Sequence, residues 1–334
     1  MRLWSALLLL LPLVSASAAD KKDDKKDDTP PKITSEHYRI YRADGTPASL
    51  ADILARAKTA NAVFLGETHN DPAAHHLEAE IFRSLADAGP VQLAMEMFEA
   101  DTQIVLNEYL AGLITEEQLI SAGRAWKNYK QDYRPMVEIA KERKLPVIAA
   151  NAPRRYVNRV SRLGRASLDE LSTTARQWLP PLPYAEATEA YATKFNKIMA
   201  SAIPAGSANP GAPKRDPKWG LDAQSLWDAT MAYFVSQALE RHPKQQVVHV
   251  NGGFHTEQNM GLVDHLKLYR PGVDVMVVTM RPSKEIAKFD TANDTGAGDF
   301  VILTDAKLPR SYDANPPSSD KGGKKKKKEK KKKD

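Results

Sequence analysis

Five short apolar runs punctuate the chain between residues 62 and 280: Ala62–Gly66 (AVFLG), Val91–Met97 (VQLAMEM), Pro146–Ala150 (PVIAA), Gln246–Val250 (QVVHV) and Val273–Met280 (VDVMVVTM). Apolar runs of this length, bounded by turn residues, predict buried strands. The intervals between them carry helical patterns. Asp71 followed by Pro72 reads as an N-cap with proline at the first helical position, and Leu77, Ile81 and Leu85 then recur along one face up to Gly89. Residues 135–144, 154–163, 221–241 and 257–269 read as further helices. Strands alternating with helices predict an α/β fold, with a mainly parallel sheet flanked by helices. Residues 167–202 hold Trp178, Tyr184, Tyr191 and Phe195 but no strand-like run. They predict a helical cap insertion over one end of the sheet, reaching to about residue 240.

The ends of the chain have a different composition. Arg2, the apolar run Leu3–Val14 and the small residues Ser15–Ala19 follow the order of a secretory signal peptide. The run is shorter than the about 20 apolar residues of a membrane span. Segment 1–19 is therefore expected to be removed and the protein exported, to the periplasm or beyond the cell. Residues 20–32 alternate Asp and Lys before two prolines and predict a disordered linker. The globular domain is expected over 33–308, with a flexible Pro- and Gly-rich loop at 205–218 and a disordered Lys-rich tail at 309–334. That tail changes the meaning of the net charge of +6. From Lys321 onward ten lysines face only Glu329 and Asp334, so the body is close to neutral. The tail offers a contact to an anionic membrane surface, or is solvated and has no partner; it does not by itself imply nucleic-acid binding. The chain has no cysteine. Disulfides, a lipid-anchoring cysteine and thiolate ligands are excluded, so any metal or haem iron must be held by His, Glu, Asp, Tyr or Met.

Ligands of open parallel sheets bind outside the carboxyl ends of the strands. Four of the five runs end in polar residues: Gly66-Glu67-Thr68-His69, Glu96-Met97-Phe98, Asn151-Ala152-Pro153-Arg154-Arg155, and Asn251-Gly252-Gly253-Phe254-His255. Glu67 and His69 are two apart, so in extended backbone both side chains face the same way. A carboxylate beside an imidazole binds a cation or acts as an acid/base pair; the alternative is a cap, with His69 a satisfied loop residue. Glu96 is costly in an apolar strand unless it is paired, bonded or lines a cavity. His255 follows two glycines that permit close backbone approach. His75 and His76 lie off the Leu77 row near a helix N-terminus, which disfavours their protonation and suits a neutral ligand. Arg154 and Arg155 open a helix and would attract carboxylates. Trp126, Tyr129 and Tyr133 supply flat faces with polar edges, and phenolate ligates ferric haem, although such aromatics also serve as packing.

Residues 65–78 (LGETHNDPAAHHLE), 93–112 (LAMEMFEADTQIVLNEYLAG), 132–154 (DYRPMVEIAKERKLPVIAANAPR), 224–239 (QSLWDATMAYFVSQAL) and 251–255 (NGGFH) are similar, in order, to the ChaN-type haem-binding uptake family, grouped with Tiki-like proteins. The resemblance implies an α/β domain that binds haem in iron acquisition, often as a homodimer. Under it the cofactor is haem, and the candidate contacts are His69, His75, His76, Tyr129, Tyr133, Arg154, Arg155 and His255. The chain departs from the family in lacking a lipid-anchor cysteine and in its Pro- and Gly-rich insertion. The same superfamily resemblance implies a second reading, a metal-dependent hydrolase of Tiki-like or esterase-like type. There Glu67, His69, Glu96 and His255 would hold a divalent metal ion or act as acid and base. No Gly-x-Ser-x-Gly elbow accompanies it. A periplasmic interaction protein with an inert pocket is the third reading.

Overall fold

The computed structural model describes residues 31–202, 216 and 218–312. The expected signal peptide, most of the linker, nearly all of the 205–218 loop and the tail beyond residue 312 lie outside the described residues. Eight strands form one sheet: β1 (Tyr38–Arg42), β2 (Pro47–Ala48), β3 (Ala62–Glu67), β4 (Val91–Glu99), β5 (Val147–Asn151), β6 (Gln246–Gly252), β7 (Val275–Ser283) and β8 (Phe300–Asp305). Their spatial order is β2-β1-β8-β7-β3-β6-β4-β5. The six strands from β8 to β5 run parallel, and β1 and β2 add an antiparallel edge. The helices are α1 (Leu50–Ala57), α2 (Pro72–Ala88), α3 (Gln103–Leu110), α4 (Glu116–Ala122), α5 (Arg134–Glu142), α6 (Arg154–Leu163), α7 (Thr173–Arg176), α8 (Glu189–Ala202), α9 (Lys218–Arg241) and α10 (Leu262–Tyr269). This is the expected α/β architecture.

The period-2 geometry of a strand explains why the central runs are apolar throughout. In β3, Val63 and Leu65 pack with Ile53 of α1, Leu77 and Ile81 of α2 and Met136 of α5. Ala62 and Phe64 point to the other face, against Met231 and Val235 of α9 and Leu262 and Leu266 of α10. Helices therefore cover both faces. All polar endings of β3, β4, β5 and β6 emerge at one edge. The register sets Glu67 beside Gly252 across β3 and β6. On β4 the ladder with β6 ends at Met95, and the pairing with β5 shifts between Met95 and Glu99. This irregularity releases Glu96 from regular pairing, as bulges near functional sites do.

Three expectations change. β1, β2 and β8 join the sheet although no strand was expected there. The Tyr-Arg alternation of β1 is only half buried, and the Phe300–Leu303 run is too short to separate strand from helix by periodicity. The 167–240 cap is smaller than expected. Pro180, Pro181 and Pro183 lack amide hydrogens and keep residues 177–188 out of helix. The second half of α9 flanks the sheet rather than its end. What remains over the strand ends is α8 with the first part of α9. Finally, residues 309–312 do not belong to a free tail: Arg310 Nη1 lies 3.0 Å from Asp71 Oδ1, and Asn70 Nδ2 donates to the Tyr312 carbonyl at 2.9 Å.

Asp71 therefore holds several elements together. It is fully buried, caps α2 by accepting from Ala73 N at 3.1 Å, and accepts from the Thr304 hydroxyl of β8. Asp71→Ala is expected to cost about 3 kcal/mol, from the lost cap and from Thr304 and Arg310 left unpaired. Asp71→Asn, which keeps the capping oxygen, should cost less. Urea unfolding of the two variants measures the difference.

Candidate functional site

β3 delivers Glu67 into a pit that solvent does not reach. Gly66 makes this possible, because a Cβ there would stand 3.0 Å from Gly253 Cα and 3.1 Å from Thr256 Oγ1. Glu67 Oε1 accepts from His69 Nδ1 and from the Tyr133 hydroxyl, both at 2.7 Å. Oε2 lies 2.8 Å from His75 Nδ1 but makes no hydrogen bond. His75 Nδ1 is also 3.2 Å from Glu78 Oε2, one helical turn further along α2. Its Nε2 faces the His69 carbonyl at 3.3 Å and Asp132 Oδ2 at 3.5 Å. A turn of π-helix, Tyr129–Tyr133, brings up Asp132 and Tyr133. Just before it, Asn128 Nδ2 donates to the His69 carbonyl at 2.9 Å and to Asp132 at 2.7 Å.

Three buried carboxylates thus surround one imidazole. Burial alone would raise Glu67, but the charge of the adjacent His75 and the hydrogen bond from His69 hold it well below its ordinary value. Glu78 moves the other way, raised by burial and by the charge of Glu67. Burial would lower His75, yet Glu67 and Glu78 raise it well above its ordinary value. This corrects the expectation of a neutral His75: two adjacent carboxylates outweigh a helix N-terminus.

A second cluster stands at the ends of β4 and β6. Glu96 Oε2 accepts from Gly252 N at 2.7 Å, and Oε1 lies 3.6 Å from His255 Nε2. His255 Nδ1 is 2.6 Å from Asp228 Oδ1 of α9, whose Oδ2 accepts from the Tyr191 hydroxyl of α8 at 2.6 Å. The imidazole is thereby fixed between two carboxylates. Burial would depress His255, but Glu96 and Asp228 push it up to about 10. Burial would raise Glu96, but the charge of His255, with help from the charge of His69 and the hydrogen bond from Gly252 N, brings it down to about 2. The two clusters meet at Gly252, where a Cβ would lie 2.8 Å from His69 Nε2 and 3.6 Å from Glu96 Oε2.

Beside these clusters opens a cavity of about 930 Å³, lined by Trp126, Asn128, Tyr312, Glu99 and the cations Arg124, Lys127, Arg154 and Arg155. Trp126 packs edge-on against His69, with ring centroids 4.9 Å apart. Arg124 pairs with Glu99 and Asp101, and Arg155 with Asp101.

The expected site residues divide accordingly. Glu67, His69, Glu96 and His255 do converge at one strand edge. They do not form a common metal set: among the described residues the three donors within 4.8 Å of one another are Glu67, His75 and Glu78, while His255 belongs to Asp228 and Glu96. Arg154 and Arg155 line the cavity. His76 points away on the exposed side of α2, 3.7 Å from Glu80. Tyr129 and Tyr133 are fully buried, Tyr129 against Phe98 and Tyr133 on Glu67, and burial raises both phenols well above their ordinary value. Glu78, Asp132, Asp228, Tyr191 and Tyr312 were not expected. Asp228 alone carried a sequence signal, as a carboxylate in the apolar helix stretch LWDATMAYF.

The family model described as haem-binding uptake, Tiki superfamily, ChaN matches residues 53–266. Among solved structures, the chain is similar to ChaN of Campylobacter jejuni, described with cofacial haem binding, at 20% identity and TM-score 0.59, over 82% of this chain and 99% of that one. It is also similar to the erythromycin esterase EreC, at 13% identity and TM-score 0.42, over 73% and 77% of the two chains. A third similarity is to the type III effector HopBA1, at 12% and 0.42, over 76% and 91%. No curated protein matches.

The charges of the second cluster set a pH window. His255 at about 10 lies above its ordinary 6.5, so its contribution is complete below pH 6.5 and is lost as pH rises through 10. Glu96 at about 2 lies below its ordinary 4.5, so its contribution is complete above pH 4.5 and is lost as pH falls through 2. His255→Gln is expected to cost about 3–5 kcal/mol between these limits, because Glu96 and Asp228 lose their counter-charge. The gap from wild type should shrink towards pH 10 in urea unfolding. Gly252→Ala should push His69 off Glu67, and NMR titration of His69, now raised by its carboxylate neighbours against burial, should show its midpoint fall.

Proposed function

We propose, from the premise that the chain belongs to the haem-binding uptake family of ChaN type in the Tiki superfamily, that it is an exported haem-binding protein of iron or haem uptake. The observation that carries this reading is the cavity beside His69. Its volume falls within the roughly 300–1,000 Å³ of cofactor sites, and two aromatic side chains and four cations line it. These residues fit a flat apolar ring bearing two carboxylates. Trp126 offers a stacking surface. Arg124 and Arg155 are engaged by Asp101, which leaves Lys127 and Arg154 as the cations of the wall free of ion pairs among the described residues. They would take the propionates through charge-assisted hydrogen bonds.

Bound haem supplies an iron that accepts an imidazole or phenolate donor. The buried phenols and His75 do not suit that role, since their polar atoms are enclosed or held in the carboxylate pit. Tyr312 lines the cavity and His69 adjoins it through Trp126, so these two side chains would be the ones to offer the iron a donor. Tyr312 is placed by the bonds of Asn70 and Ser311, which anchor the last described residues next to α2. Its phenol is raised by burial and by the charges of Glu67 and Asp132, so it is held protonated and would have to release that proton to serve as a donor. Export is supported by the leader-like composition of segment 1–19.

Hemin titrated into the purified chain should give a saturable Soret shift. Tyr312→Phe and His69→Ala should each retain the fold, and the variant that alters the Soret position identifies the axial ligand. Lys127→Ala combined with Arg154→Ala should weaken binding about tenfold or more, through the lost charge-assisted bonds. Absence of any saturable shift in the wild type would sink the proposal.

A further inference from the structure

The Glu67 pit holds more negative charge than its hydrogen bonds explain. Glu67, Glu78 and Asp132 are all buried around the single imidazole of His75. Glu67 Oε2 and Glu78 Oε1 have no hydrogen-bond partner, and both are shut off from solvent. Buried carboxylate oxygens without partners are costly, and each calls for an explanation such as a missing ion.

We infer that Glu67, His75 and Glu78 form a binding site for one first-row divalent cation, distinct from the haem cavity and filled without haem. The three donors lie within 4.8 Å of one another. Displacements of about an ångström would bring each to the roughly 2.0–2.2 Å of a metal bond to nitrogen or oxygen. His75 Nδ1 faces both carboxylates and takes the ligand role as a neutral imidazole. Its Nε2–H is then left for the His69 carbonyl and Asp132, the second-layer arrangement that fixes a ligating histidine. Tyr133 and His69 already hold Glu67 Oε1, which leaves Oε2 for the ion. Two carboxylates and a doubly charged ion sum to zero, whereas the empty pit must neutralise its charge with protons. One imidazole with two carboxylates suits zinc, manganese or ferrous iron better than the all-oxygen sets of calcium and magnesium. His69, partly exposed and bonded to Glu67, marks the route inward.

The full chain, stripped with chelator and assayed without hemin, should bind one equivalent of Zn²⁺ by calorimetry and elemental analysis, with a rise in Tm. Glu78→Gln and His75→Gln should weaken the uptake about 100-fold or more, since even outer-layer changes cost 10–100-fold. His76→Ala, on the exposed side of α2, should leave it unchanged. No stoichiometric uptake by the wild type overturns the site, as does uptake lost in His76→Ala but retained in Glu78→Gln. If the pit variants do not fold, Co²⁺ bound to the wild type decides: intense visible d–d bands of a low-coordinate ion support the site, and the pale spectrum of hydrated Co²⁺ overturns it. A chain that takes up zinc but gives no Soret shift would keep this inference and remove the haem reading, and the reverse result would do the opposite.

Discussion

Everything at the working edge of this molecule answers to the burial of two carboxylates at the ends of parallel strands. Glu67 and Glu96 emerge at the ends of strands whose cores are apolar, and both are buried. A charge so placed is tolerated only if it is paired and hydrogen-bonded. The chain meets this demand with groups from distant segments: Tyr133 from the π-helical turn, His75 from α2, the Gly252 amide from β6, and His255 backed by Asp228 of α9 and Tyr191 of α8. The carboxylates therefore organise the cap as well as the site. Helix α8 is tied to the strand ends by the Tyr191 hydroxyl and by Lys194, whose ammonium donates to the Phe254 carbonyl.

The backbone conditions for this arrangement are few and local. Gly66 lets the β6 turn approach β3, and Gly252 lets the His69 ring lie against β6. The slip in pairing after Met95 frees Glu96 to accept from the Gly252 amide. Each is a departure from regular sheet at the carboxyl edge, while the same strands remain regular through the core. Departures of this kind concentrate where a fold carries function.

Much of this was legible in the sequence. Strand runs with polar endings gave the sheet, its parallel sense and the convergence of Glu67, His69, Glu96 and His255, because a strand end is set by local pattern and the edge by topology. The partners of those residues were not legible. Glu78 sits beside Leu77 on a helix whose core row masks it, and Asp132 lies in a polar stretch indistinguishable from a loop. Tyr312 follows residues that read as the start of a tail, because it is attached through its backbone carbonyl, which accepts from the Asn70 side chain and leaves no signature in the tail's own sequence. His75 was placed correctly at the first turn of α2, but its charge depends on Glu67 and Glu78, and only the folded distances reveal that.

The charges divide the strand edge into two compartments, and that division constrains how an anionic ring can enter. The pit is rich in carboxylates, whereas the cavity wall beside it is rich in arginine and lysine. Between charges in a protein the interaction remains substantial over several ångströms when water is excluded. A ligand carrying carboxylates on one side would thus turn that side towards Lys127 and Arg154 and away from Glu67 and Asp132. His69 and Trp126 stand at the boundary, the imidazole bonded to the pit and the indole facing the cavity. Neutralising the pit with a divalent ion would weaken the repulsion from one side without altering the attraction from the other. Were both sites filled, they would be coupled by charge although they share no ligand atom: a cation below would favour an anion above.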